Sequence, residues 1–293
     1  TIVSAGGLSA MAAARKAGAE IASTDLGAVL NDEETDIVII ATRHNLHADM
    51  VIQCLNAGKH VFVEKPLCLT TDELSDIFSA YQRAQSSTLT VGFNRRFAPF
   101  AMEMRRRIGN AQTNLVMTIN AGNLSSDSWV HDTEIGGGRI VGEGCHFIDL
   151  CSYLAGSPAV AVCMSSMGID PSRTTDNASI LLKFENGSQA TVNYFSNGHR
   201  GYTKERIEAF SGGRTMVMDN WRTLRGFGFG RNLKRSSRQN KGHQSQFGSL
   251  IENIARGGEP SIPFSEIYNV SEASLACLQS LSERRWVDLM PLS

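Results

Sequence analysis

The sequence predicts an α/β protein with a doubly wound parallel sheet, followed by an α+β region with a mostly antiparallel sheet. Residues 1–97 alternate short apolar runs with helix-like segments, and these runs lack the polar alternation of half-exposed strands. Residues 98–293 instead contain several strands of alternating polarity, two of them separated by the hairpin signal Asn186-Gly187. We therefore predict two domains, at 1–97 and 98–293.

The elements of the first domain follow one another in strand–helix order with short links. We predict strands at Thr1–Ala5, Asp36–Thr42, His60–Val63 and Leu89–Phe93, and helices at Ser9–Ala17, about Leu46–Ala57 and Thr71–Gln85. Gly18 and Gly58 end two of the helices, and Pro66 follows the third strand. In such a sheet ligands bind beyond the carboxyl ends of the strands, so Thr42–His47 and Glu64–Pro66 lie where a ligand would bind.

The second domain is predicted to pack helices against its sheet. The expected helices are about Phe100–Ile108, Gly144–Ala155, Ser245–Ala255 and Phe264–Leu281, and the expected strands are Leu115–Ala121, Ala159–Ser165, Ala178–Phe184, Gln189–Phe195, Glu205–Phe210 and Arg214–Met218. Between Asn220 and Leu250 the chain has no acidic residue and seven basic ones. We interpret this segment as a solvated loop, although it is also suited to a nucleotide-sugar diphosphate. The seven are Arg222, Arg225, Arg231, Lys234, Arg235, Arg238 and Lys241.

Composition excludes several classes of function. The 293 residues are 42% hydrophobic and 19% charged, as in globular proteins, and the formal net charge of −1 gives no general attraction to nucleic acid or membrane. Six scattered cysteines without a CxxC pair predict reduced thiols, a cytoplasmic location and no metal site. There is no apolar run of about 20 residues and no signal-peptide pattern. Because residue 1 is Thr, we expect the natural chain to start upstream.

Two segments carry candidate chemistry. At the end of a buried strand, Glu64 and Lys65 must point in opposite directions, and a half-desolvated Lys65 could act as an acid or base. The alternative is an ordinary solvated strand end. After the glycines 136–138, His146 and Asp149 share a helix face, where Asp149 could orient the imidazole. The alternative for His146 is a core histidine with no catalytic role.

Taken together, the motifs resemble the glucose–fructose oxidoreductase, inositol dehydrogenase and rhizopine-catabolism (Gfo/Idh/MocA) family. The matching segments are Gly58–Pro66, Ala41–His47, Gly92–Pro99 and Gly136–Gly156, in the family's order across nearly the whole chain. The resemblance implies a Rossmann-type dinucleotide-binding domain at 1–97 that lacks its first strand. It also implies that 98–293 binds substrate and forms oligomers.

The resemblance also implies roles for individual residues. Lys65 and His146 would handle the proton of a sugar-like hydroxyl while hydride moves to or from nicotinamide, with Glu143 or Asp149 in support. Trp129 would line the substrate site together with Lys65 and His146. The implied cofactor-binding residues are Thr42, Arg43, His44, His47, Glu64, Lys65, Asn94, Arg95 and Arg96.

Three departures from the family pattern stand out. The GxGxxG phosphate loop is absent, and no acidic residue follows the first strand near Ser4–Gly6. NADP is therefore an alternative to NAD, with Arg15 or Lys16 as candidate phosphate partners. Gly142 stands where many members have Asp. Together with Arg43-His44 in place of Pro-Asn, this resembles a branch in which the module follows a zinc-type alcohol dehydrogenase module, which implies an upstream fused domain.

We therefore predict an NAD(P)-dependent oxidoreductase of a sugar, cyclitol or nucleotide sugar. Its partners would be a small sugar-like substrate and further copies of the chain in a homodimer or homotetramer, with no nucleic acid and no membrane. One alternative is a family member that uses nicotinamide transiently to hydrolyse or eliminate a glycosidic bond. The other is a non-catalytic scaffold that lost the cofactor loop.

Overall fold

A computed structural model of the chain describes residues 1–84, 86–168, 176–230, 233–257, 259–290 and 292. Gln85 and Arg231 from the predictions above lie outside these residues. No helix among the described residues has the length and apolarity needed to cross a membrane. The same part of the chain holds no group of three or more His, Cys, Asp or Glu side chains arranged to bind a metal ion.

The first region is the predicted parallel α/β structure. Its strands form two separate parallel sheets, β1–β2 and β3–β4–β5, and within the described residues no strand pairs with both β1 and β3. Two short elements, β2 and α2, were not predicted. The elements are β1 (Ile2–Val3), α1 (Gly7–Ala17), β2 (Ala22–Ser23), α2 (Gly27–Leu30), β3 (Ile37–Ile40), α3 (His47–Asn56), β4 (His60–Val63), α4 (Thr71–Arg83) and β5 (Leu89–Val91).

The second region is built on one nine-stranded sheet, ordered β13-β12-β11-β10-β6-β9-β8-β7-β14. Every neighbouring pair is antiparallel except β6 and β9, so the predicted mostly antiparallel sheet is confirmed. The elements are α5 (Pro99–Ile108), β6 (Asn114–Asn120), α6 (Cys145–Ala155), β7 (Ala159–Ser166), β8 (Asn177–Phe184), β9 (Gln189–Phe195), β10 (Glu205–Ser211), β11 (Arg214–Asp219), β12 (Thr223–Phe227), β13 (Leu233–Ser236), α7 (His243–Ala255), α8 (Phe264–Glu283) and β14 (Val287–Asp288).

The basic segment after Asn220 is not the loop that we predicted. It forms the antiparallel hairpin β12–β13 at one edge of the large sheet. Leu224 and Leu233 point into the core, while Arg225 and Lys234 alternate with them and face outward. Two buried leucines are too few to give a detectable strand pattern in a segment with so many charged residues.

The last two helices return to the first region. Phe247 on α7 packs against Phe62 on β4, with ring centroids 4.7 Å apart. Phe264 on α8 stacks on Tyr81 of α4 at 4.1 Å. The predicted boundary at residue 97 therefore separates the two sheets, but α7 and α8 pack across it.

Candidate active site

The end of β4 presents a lysine to the second region. Glu64 and Lys65 point to opposite sides, as strand alternation predicts. The Lys65 Nζ donates a hydrogen bond to the Gly142 carbonyl oxygen at 2.7 Å. The Glu64 carboxylate lies over Gly92, where an added Cβ would be 2.7 Å from Glu64 Oε2. Lys65 therefore links the two regions, and two of its three N–H donors remain for a ligand.

His146 lies in the first turn of α6, directly after a widened π-helical turn at Ile140–Gly144. Its side chain is almost fully buried, and its Nδ1 has no hydrogen-bond partner among the described residues. Burial, together with the charges of Arg95 and Lys65, lowers the pKa of His146 well below its usual range. The imidazole is therefore neutral at physiological pH, the state in which it can accept a proton.

Asp149 does not form the predicted hydrogen bond with His146. Its carboxylate accepts from the Arg96 guanidinium, with the Arg96 Nη2 2.5 Å from the Asp149 Oδ1. Arg96 also binds Glu266 of α8 at 2.7 Å. Because Asp149 is completely buried, it takes the nearest guanidinium as its counter-charge. Both carboxylates hold Arg96 inside the protein, where it links elements of the fold, and its contact with a cofactor stays a prediction.

Glu143 belongs to a polar cluster beside Lys65. It accepts hydrogen bonds from Arg139 at 2.7 Å and from the hydroxyl of Tyr194 on β9. Burial would raise the pKa of Glu143, but these hydrogen bonds outweigh it and lower the pKa. The Arg139 Nη1 lies in turn 3.9 Å from the Asp176 Oδ2. Sequence reasoning missed Arg139, Tyr194 and Asp176 as site residues, because nothing in their local sequence indicates contacts with Glu143.

The residues after β3 meet a loop of the second region. The His44 Nδ1 donates to the Gly136 carbonyl oxygen at 2.8 Å, and its ring packs edge-on against Trp129 at 4.7 Å. The Arg43 guanidinium lies 5.9 Å from the centre of the Trp129 ring. Thr42 is exposed at the end of the strand. The structure therefore brings the predicted residues Arg43, His44 and Trp129 into one cluster.

His47 is held by backbone carbonyl oxygens at the ends of two strands. It is completely buried, and its Nδ1 donates to the Pro66 carbonyl oxygen at 2.6 Å. Its Nε2 lies 3.3 Å from the Thr42 carbonyl oxygen. The side chain thus joins the carboxyl ends of β3 and β4 and is covered by protein, so the predicted contact with cofactor is not supported.

The absence of a side chain at residue 142 is explained by His44. A Cβ added to Gly142 would lie 2.9 Å from the His44 Cε1, closer than real Cβ contacts. His44 thus occupies the space in which a longer residue at 142 would extend. The two departures from the family pattern at 44 and 142 are therefore linked in space.

Asn94 and Arg95 follow β5 in a short 3-10 turn and contact the second region. The Asn94 Nδ2 donates to the Lys241 carbonyl oxygen at 2.7 Å. Arg95 pairs with Glu205, a fully buried residue of β10, at 3.0 Å. Sequence reasoning missed Glu205 and Trp221, whose indole N–H also donates to Glu205.

Some of the predicted cofactor-binding residues lie where a dinucleotide would bind. Thr42, Glu64 and Lys65 line the carboxyl ends of neighbouring parallel strands, where such sheets bind ligands. Lys65 has free donors, and the buried Nδ1 of His146 has no hydrogen-bond partner in the part of the chain that the structure describes. These residues fit the nicotinamide end of a dinucleotide. Arg15 and Lys16 lie in the last turn of α1, far from its amino terminus, so they do not flank the segment that follows β1.

Comparison with known proteins agrees with this geometry. Residues 1–93 match the family model described as oxidoreductase family, NAD-binding Rossmann fold (GFO_IDH_MocA), and residues 107–214 match the GFO/IDH/MocA C-terminal domain. Together the two matches cover more than half of the chain. The fold is a Rossmann domain of the NAD-binding class followed by the C-terminal domain of the same family. The chain belongs to the Gfo/Idh/MocA family.

Several relatives are dehydrogenases. The chain is 32% identical to inositol 2-dehydrogenase 2 of Saccharopolyspora erythraea, over 67% of this chain and 58% of that protein. It is 24% identical to myo-inositol 2-dehydrogenase of Thermotoga maritima, over 94% and 86%. The chain spans 61%, 58% and 47% of the lengths of the first three curated relatives that it matches.

The solved structures support the fold. Levoglucosan dehydrogenase in complex with NADH and levoglucosan superimposes with a TM-score of 0.85 at 23% identity, over 98% of this chain and 89% of that one. A probable dehydrogenase from Thermotoga maritima gives 0.79 at 23% identity, over 98% and 90%. The two-region architecture is therefore shared with known dehydrogenases.

Proposed function

We propose that the chain is an NAD(P)-dependent dehydrogenase of a cyclitol or sugar, in which Lys65 and His146 handle the proton of the reacting hydroxyl. The observation that carries the proposal is the pair itself: a lysine with free donors at the ligand end of the parallel sheet, and a neutral imidazole on α6 whose Nδ1 has no hydrogen-bond partner among the described residues. The inositol and levoglucosan dehydrogenases among the relatives support a polyol as the substrate class.

The roles follow from the chemistry of each group. A bound nicotinamide supplies the hydride acceptor or donor. We assign the acceptance of the hydroxyl proton to the Nε2 of His146, because its Nδ1 is buried. The Lys65 ammonium, anchored on Gly142, donates to the same oxygen and stabilises the negative charge that develops on it. Glu143, held by Arg139 and Tyr194, supplies a carboxylate beside Lys65.

Replacing Lys65 or His146 by Ala tests this assignment. Each variant should lower turnover by about 10²- to 10⁴-fold, the usual contribution of a positioned acid or base, with little loss of cofactor affinity. The measurement is the rate of NADH or NADPH formation with inositol as substrate, beside a fluorescence titration of each cofactor.

Matched controls lie at the other end of the same strand. Lys59→Met and His60→Gln change the same residue types at the amino-terminal side of β4, and both should keep near wild-type turnover. Unchanged turnover in Lys65→Ala and His146→Ala would remove these residues from the mechanism.

A further inference from the structure

The carboxylate of Glu205 accepts hydrogen bonds from three side chains that are far apart in the sequence. Glu205, the first residue of β10, is fully buried. Its Oε1 accepts from the Arg95 Nη2 at 3.0 Å and the Lys241 Nζ at 2.6 Å. Its Oε2 accepts from the Arg95 Nε at 3.0 Å and the Trp221 Nε1 at 2.6 Å. Both oxygens are thus saturated by four hydrogen bonds, two of them from a bidentate guanidinium.

Each donor comes from a different segment. Arg95 follows strand β5 of the first region, and Lys241 comes just before α7. Trp221 lies in the turn between β11 and β12 with φ +60°, a backbone conformation that is costly for a bulky residue. The bond to Glu205 helps to keep Trp221 in that conformation. Glu205 therefore fixes where three segments meet.

These segments meet beside α6, the helix that carries His146. The ring of Phe93, two residues before Arg95, packs edge-on against the His146 ring at 6.4 Å. The Arg95 guanidinium lies 4.8 Å from the ring centre of Phe147, the neighbour of His146. The 3-10 turn that carries Arg95 thus contacts α6 at the position of the proposed base.

Three cationic side chains act on His146 and lower its pKa: Lys65 after β4, Arg95 after β5 and Lys241 just before α7. Two of them, Arg95 and Lys241, share Glu205 as their carboxylate partner. Without that partner, two cations would stand uncompensated in a buried setting next to an imidazole.

We propose that Glu205 is a positioning residue for the active site: its carboxylate holds Arg95 and Lys241 beside His146 and balances their charge. It contacts neither substrate nor cofactor in this role. The inference builds on the proposed function because it concerns the same base, but it makes a prediction about the ionisation of His146 that needs no turnover.

We predict that the titration midpoint of His146 shifts in opposite directions in two kinds of variant. Glu205→Gln removes the negative charge and leaves both cations, so protonation of His146 becomes harder and its titration midpoint falls. Arg95→Gln and Lys241→Gln each remove a cation and leave the carboxylate, so the midpoint rises. A neighbouring charge typically changes a pKa by about one unit. A purely structural role would not reverse the sign between partners.

The experiment is an NMR titration of the histidine Cε1–H signals in the whole chain, with His146 assigned by the signal lost in His146→Gln. Glu208→Gln removes the same charge from β10 at a residue that pairs with Arg206 instead, and should leave the midpoint unchanged. Lys241 is partly exposed, so Lys241→Gln is the variant expected to fold if the more buried ones do not.

Opposite shifts in the carboxylate and cation variants support the proposal. A midpoint that does not rise in Lys241→Gln, or that moves in the same direction in all variants, overturns it. If the shifts appear in a protein that oxidises no polyol, the proposed function fails while the role of Glu205 stands. If polyol oxidation depends on His146 and the midpoint does not move, only the role of Glu205 fails.

Discussion

Gly142 has no side chain, and the space in which one would lie holds the imidazole of His44. The same residue offers its carbonyl oxygen to Lys65. Gly142 therefore holds Lys65 through its carbonyl oxygen and leaves space for His44 beside its Cα. Neither contact can change without affecting the geometry of the site.

Gly142→Ala tests this arrangement at the residue scale. The new Cβ must displace His44, so we expect a loss of about 1–3 kcal/mol in the free energy of unfolding. Turnover should fall by about 10- to 100-fold because Lys65 loses its position. The measurements are denaturant unfolding and steady-state kinetics.

The control is Gly144→Ala in the same turn. A Cβ there would have its nearest neighbour at 3.4 Å, the Cγ2 of Ile140, which is close to ordinary contact. Stability and turnover should stay within a small factor of wild type. Equal losses in the two variants would mean that the turn tolerates no alanine, and that His44 is not the reason.

The local sequence indicates a candidate site residue only where the residue lies within a continuous motif. Lys65 ends a buried strand before a proline, and His146 follows a run of glycines, so both could be named. Glu205 and Tyr194 could not, because each gains its role from partners far away in the chain, as Glu205 does from Arg95. The spacing of His146 and Asp149 was misleading, since a shared helix face does not decide which neighbour a buried carboxylate pairs with.

At the scale of elements, α6 is held by charge as well as by apolar packing. Asp149 binds Arg96 of the turn after β5, and Arg96 binds Glu266 of α8. Three elements thus share one buried guanidinium. The carboxylates raise the pKa of Arg96 and keep it charged, although burial opposes this.

Asp149→Asn should therefore act on stability first. It leaves a buried guanidinium with only the partly exposed Glu266, at a cost of about 3 kcal/mol in the free energy of unfolding. Denaturant unfolding measures this loss directly.

Glu252→Gln is the matched control, since it breaks the exposed pair with Arg256 on α7. Such pairs contribute at most about 1 kcal/mol, so this variant should unfold almost like wild type. A variant of Asp149 that is as stable as this control would contradict the structural role given to the carboxylate.

The elements that the sequence predicted best carry a clear local signal. β4 and β9 have the predicted bounds, and α4 begins at the predicted residue because Thr70 and Glu73 form a capping box. The elements β2, α2 and β14 were missed, since they are short and carry no such signal. The hairpin β12–β13 was missed because its charges obscure the two buried leucines.

Across the whole molecule, the two regions are joined at the site. Lys65 reaches Gly142, His44 reaches Gly136, and Arg95 reaches Glu205, each across the boundary near residue 97. The helices α7 and α8 pack back onto the first region. The predicted homodimer or homotetramer, the cytoplasmic location and the upstream fused domain stay predictions.

The most direct test of the central claim is the transfer of hydride itself. Inositol carrying deuterium on its ring carbons is incubated with the chain and NAD or NADP, and the reduced cofactor is analysed by mass spectrometry. We predict that one deuterium appears in the reduced nicotinamide with the wild-type chain, and that the signal is lost in His146→Ala. If both cofactors bind and neither gains deuterium from inositol, levoglucosan or any other polyol tested, the chain is not a polyol dehydrogenase.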